Sequence, residues 1–150
     1  MNIAHILLIL VVLSACTEKK ETLLKDTTEA RYQVGQIWHY ETRPGEEDST
    51  FTVLKVETHP KLGVIVHITV QGIRLKNPQA PNGFSERIGH MPFAEEAIDN
   101  SILDMSEENP LPDSQEGYEE WRTAFENDNA GIFSITVAEA IDVMEKALNQ

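Results

Sequence analysis

Three runs of apolar and polar residues between positions 36 and 75 carry the clearest structural signal in the chain. Positions 36–42 alternate around Ile37, Trp38 and Tyr40, the pattern of a half-buried strand. Positions 50–57 repeat it with Phe51, Val53, Leu54 and Val56. Positions 64–75 are β-branched almost throughout, with Val64, Val66, Ile68 and Val70 on one face and Ile65, His67 and Thr69 on the other. Pro44-Gly45 and Pro60-Lys61-Leu62-Gly63 punctuate the runs, and links this short predict an antiparallel meander. Positions 86–91 suggest a fourth, short strand.

Helical spacing takes over beyond position 92. Phe93, Ala97, Ile98 and Ile102 recur three to four apart and predict a helix over 93–103, followed by an acidic loop over 104–112. Asp113 with Glu116 reads as the start of a second helix, on which Tyr118, Trp121 and Phe125 share a face. Thr136 and Glu139 have capping-box spacing ahead of Val137, Ala140, Ile141 and Met144. The expected fold is α+β: an antiparallel meander of three to four strands with two to three helices packed on one face.

The first sixteen residues carry a different message. Positions 6–13 form an unbroken apolar run, and eight helical residues rise only about 12 Å, far less than the roughly 30 Å needed to span a membrane. Small residues follow it, as in a secretory signal. The sequence Leu13-Ser14-Ala15-Cys16 resembles the lipobox of bacterial lipoproteins, although Met1 to His5 include no Lys or Arg. That resemblance implies cleavage between Ala15 and Cys16, a diacylglycerol on the Cys16 sulfur and an acyl chain on its new amine. Two or more chains make a stable anchor where one is marginal. Thr17 stands where an aspartate would imply inner-membrane retention, so the resemblance implies an outer-membrane protein facing the periplasm. The expected organisation is a signal peptide over 1–15, a lipidated flexible tether over 16–34 and one domain over 35–150. Residues 35–47 and 131–135 also resemble small bacterial proteins, a likeness that implies no activity.

Charge narrows the function. The 150 residues carry a formal charge of −13, which disfavours nucleic acid as a partner. Residues 1–85 balance nine acids against nine bases, and the excess lies beyond them, where only Arg87, Arg122 and Lys146 oppose sixteen acids. Such a surface aids solubility or attracts a basic partner.

Candidate chemistry is sparse. His39, Glu41 and His67 would suit zinc only if their strands were neighbours, and a meander puts another strand between them. No nucleophile elbow or phosphate loop occurs, and the only thiol is Cys16. Asn127-Asp128-Asn129 lacks calcium-loop spacing and reads as a helix-closing turn. The acidic turn Glu46-Glu47-Asp48 reads as a solvated hairpin tip. Trp38, Tyr40, Tyr118 and Trp121 are the candidate partner-binding residues. The expectation is a non-enzymatic, lipid-anchored domain that binds a protein, without cofactor or metal. The alternatives are an immunity protein that blocks an envelope-directed toxin and a small hydrolase built on a carboxylate site.

Overall fold

The computed structural model describes residues 22–108 and 115–150. The signal sequence, Ala15, Cys16 and the Asp113 helix start lie outside these residues. The chain forms β1 (Lys25–Asp26), β2 (Gln36–Tyr40), β3 (Thr50–His59), β4 (Gly63–Lys76), β5 (Phe84–Ala94), α1 (Glu95–Asp99), β6 (Ile102–Glu108), α2 (Gln115–Glu126) and α3 (Val137–Leu148). One antiparallel sheet runs in the order β5-β4-β3-β2-β6, and β1 also pairs with β3. The fold is α+β with six strands among the described residues, more than the three to four expected.

The β2-β3-β4 meander forms as its alternation predicts, and β5 is longer than expected. Gly72 sits at φ +77° where β4 passes the β2–β3 connection. A Cβ there would stand 3.1 Å from Ser49 Cα, so both the backbone angle and the space call for glycine. Ser49 fastens the same crossing: Tyr40 Oη lies 2.7 Å from its hydroxyl, which donates to the Gln71 carbonyl at 2.7 Å.

The sheet is covered on both faces, which corrects the expectation of helices on one. Val66, Ile68 and Val70 pack with Ala97 and Ile98 of α1 and with Val137, Ala140 and Ile141 of α3. Ile65 points the other way and packs with Leu24, Tyr118 and Trp121, so α2 lies on the opposite face. The cause is the composition of β4, which is apolar on both sides at this end of the strand and needs cover on both.

The helix expected over 93–103 is a strand end, one helical turn and a new strand. Phe133 pairs with the end of β5, donating its amide to the Pro92 carbonyl and accepting from Ala94, each at 2.9 Å. That keeps Phe93 extended. Ser101 ends α1 by donating to the Ala97 carbonyl at 2.6 Å, and its hydroxyl accepts the Val137 amide at 3.0 Å, joining α1 to the start of α3. The Thr136–Glu139 capping box forms as expected.

The segment read as a tether joins the fold from Thr22 onward. Leu24 and Tyr32 are buried, and β1 pairs with the end of β3. Tyr32 donates to Asp99 at 2.6 Å and meets Trp38 edge-on with ring centroids 5.6 Å apart. Leu24, Tyr32 and the β1–β3 pairing hold the segment, although Leu23 and Val34 remain exposed.

Candidate functional site

The most concentrated ionisable chemistry lies between the sheet and α2. The β3–β4 register sets Lys55 opposite His67 and Glu57 opposite Ile65, so Glu57 stands diagonally beside His67. β5 brings His90 alongside, and α2 closes the site with Tyr118 and Trp121. Gly117 permits this closure, because a Cβ there would lie 2.8 Å from His90 Cβ.

His67 is the hub of the cluster and is fully buried. Its Nδ1 lies 2.9 Å from His90 Nε2, and its Nε2 lies 3.1 Å from Glu57 Oε2. The second contact is a close approach without hydrogen-bond alignment, since neither atom has an aligned partner. Tyr118 donates to the other oxygen, Glu57 Oε1, at 2.8 Å. Lys55 Nζ stands 3.8 Å from that oxygen and 5.2 Å from the centre of the Tyr118 ring, and it also pairs with Asp26.

Burial acts in opposite senses on these groups. It is the largest influence on Glu57 and favours the neutral acid. The hydrogen bond from Tyr118, the close approach of His67 and the charge of Lys55 outweigh it and hold the carboxyl below its usual range. Burial pushes His67 down, against the pull of Glu57. It pushes His90 down to about 4, helped by His67 and opposed by Glu57. Tyr118 is raised by burial and by its bond to Glu57. At neutral pH the arrangement is a carboxylate facing two neutral imidazoles. The tautomer of His67 that suits a facing carboxylate carries the proton on Nε2 and leaves Nδ1 to accept from His90.

A general base works best with a pKa near the working pH, whereas His90 is far below neutrality and His67 is sealed from solvent. A hydrolytic carboxylate site requires an acid held high in a cleft; Glu57 is held low and covered by α2. The geometry supports packing that depends on protonation: burial disfavours charging either imidazole, and two charged rings with nitrogens 2.9 Å apart would repel.

The sequence-predicted residues are scattered. Tyr40 is buried against Phe51, its hydroxyl pushed up to about 12 by burial. Tyr118 and Trp121 are buried in the α2 interface, and the Trp121 indole donates to the Gly131 carbonyl at 2.8 Å. These three are core, which corrects their reading as partner-binding residues. Trp38 is half-buried and pairs in the ladder with Met105 of β6. His39 meets Asp104 at 3.1 Å, with β3 between it and His67. Asn127, Asp128 and Asn129 close α2 through amides donating to the carbonyls of Ala124 and Phe125.

Glu46 departs from the solvated turn expected of it. It is buried, accepts from Arg43 Nε at 2.9 Å and takes the Arg74 amide at 2.7 Å. Arg43 continues to Asp142 of α3 at 3.1 Å, so this charge network clamps α3 to the sheet.

Sequence reasoning missed Glu57, His90 and Gly117 as parts of one site. The available signal was the hairpin at positions 59–63, whose register places Glu57 within reach of His67. No protein-family model, curated protein or solved structure matches the chain.

Proposed function

We propose that this protein is a lipid-anchored envelope protein, held by Cys16 at the outer membrane and facing the periplasm, whose domain binds a protein partner with a basic surface. The lipobox sequence and Thr17 after the cysteine support the anchor. The observation that carries the binding half is the edge strand β6. Its outer side pairs with no strand among the described residues, and Leu103 and Met105 are 60% and 46% exposed. Edge strands that meet solvent usually carry charge to prevent pairing. Here exposed Asp104 lies between the two apolar residues, in a chain of net charge −13. This combination favours an extended or apolar segment with basic flanks, placed by backbone pairing and steered by charge.

Affinity capture from detergent-solubilised envelopes tests this reading, comparing the native lipoprotein with a Leu103→Lys/Met105→Lys variant. A stoichiometric partner should be recovered by the native protein and lost by the variant. Its recovery should fall with salt, as the screening length shrinks from about 10 Å at 0.1 M to about 3 Å at 1 M. Equal recovery by both proteins, or recovery indifferent to salt, overturns the β6 reading. A partner that proves to be an envelope-directed toxin makes the function immunity. Mass spectrometry of the mature amino terminus tests the anchor directly.

A further inference from the structure

The domain begins close to its anchor. Thr22 and Leu24 already line the fold, and only residues 17–21 separate Cys16 from Thr22. At the covalent limit of about 3.5 Å per residue, this edge of the domain stays within roughly 20 Å of a lipidated Cys16. The same edge is apolar. Leu23 is 53% exposed, and Leu62 at the β3–β4 hairpin tip is 42% exposed. They flank a cleft of about 310 Å³ whose walls include His59 and Phe125. Lys61 also lines it and makes no ion pair among the described residues. The far wall carries Asp128 and Glu126, the latter paired with Arg122 at 3.2 Å.

We propose that the surface formed by Leu23, Leu62 and the cleft between them rests on the phospholipid interface that holds the anchor. This rests on the lipid-anchor reading of Cys16. Two leucines cannot recruit a soluble domain by themselves. A domain already anchored needs little affinity, because the contact is intramolecular and the local lipid concentration is set by the link. Lys61 suits anionic headgroups. The placement also orients the molecule. β3 runs ten residues from Thr50 to the hairpin, so its far end stands about 30 Å away. Leu103 of β6 lies toward that far end, since Ile102 pairs with Tyr40 and β2 pairs with the start of β3.

The test uses the full-length protein, lipidated in cells and reconstituted into phosphatidylethanolamine–phosphatidylglycerol vesicles. Leu62→Cys and Leu103→Cys variants are each labelled with an environment-sensitive fluorophore, the native thiol being blocked by lipid. A lipid-borne nitroxide should quench the label at 62 several-fold more than the label at 103. Equal quenching at both positions, with lipid on Cys16 confirmed by mass spectrometry, overturns this inference and leaves the anchor reading standing. An unmodified Cys16 overturns both. A change in the 62 label that appears in detergent without vesicles and scales with protein concentration assigns the surface to a second copy and overturns the membrane contact.

Discussion

His67 Nε2 and Glu57 Oε2 lie 3.1 Å apart at the centre of the α2 interface, and neither atom has an aligned hydrogen-bond partner among the described residues. Both side chains are buried, at 0% and 3% exposure. An ionisable pair held this way makes the packing of α2 depend on protonation.

Acid should loosen the domain in a defined window. His90 is held at about 4 when folded, against an ordinary value of 6.5, and His67 is lowered in the same direction. Between those values the unfolded chain binds more protons than the folded one, so stability falls as pH drops from about 6.5 toward 4. The loss from His90 is on the order of 2–3 kcal/mol. Glu57, held below its ordinary value, adds a further loss at lower pH. Urea unfolding across this range should give a positive slope of stability against pH. His90→Gln should make the slope shallower, with His67 providing the remainder; an unchanged slope would exclude His90 as a source.

Tyr118→Phe removes the one aligned donor to Glu57 among the described residues without changing the ring that packs on His67. The carboxylate would then be buried with its second oxygen unsatisfied as well, at a cost of about 1–3 kcal/mol. The variant should unfold at lower urea than the native protein at pH 7. The difference should narrow at pH values low enough to protonate Glu57. Equal midpoints at neutral pH would mean that the Tyr118 hydroxyl bond contributes nothing net.

These partnerships explain which parts of the fold were legible. β4 reads as a strand because its β-branched run leaves no alternative of comparable length. β6 reads as a helix end and an acidic loop because Ile102 and Leu103 continue a helical spacing and Asp104, Ser106, Glu107 and Glu108 disfavour strands locally; its pairing with β2 is decided by tertiary contact. The segment before Gly35 reads as solvated because its order depends on Leu24 and Tyr32, whose partners are distant in sequence. The aromatic face of α2 was legible from spacing. Its docking onto the Glu57–His67–His90 cluster was not, because three strands and a helix must meet before the site exists.

Truncation separates a tether from a structural segment. Deleting residues 17–21 leaves Leu24, β1 and Tyr32 in place, so the melting temperature should stay near that of the native domain. Extending the deletion through residue 34 removes Leu24, β1 and Tyr32 and exposes the surfaces they cover. Losing a buried aromatic alone costs about 3–5 kcal/mol. A domain starting at Gly35 should therefore be marginal or unfolded by circular dichroism. Native-like cooperative melting of that shortened chain would return the segment to the role of a tether.

Gly117→Ala gives opposite expectations for a free helix and for a packed one. In an exposed helix interior, alanine stabilises by about 1 kcal/mol relative to glycine. Here the new methyl would stand 2.8 Å from His90 Cβ, an atom fixed close to the β5 backbone and unable to swing aside. Either α2 lifts from the sheet or β5 gives way, and overpacking of this kind costs about 1–3 kcal/mol. The net effect should be a lower melting temperature despite the gain in helix propensity. Lifting α2 should also admit water to His67 and His90, so their burial penalties shrink and the loss of stability between pH 6.5 and 4 becomes less steep. Thermal melts at pH 7 and at pH 5 check both consequences together. A melting temperature raised at pH 7 would show that α2 does not press on His90, and the proton-sensitive packing proposed for this site would lose its structural basis.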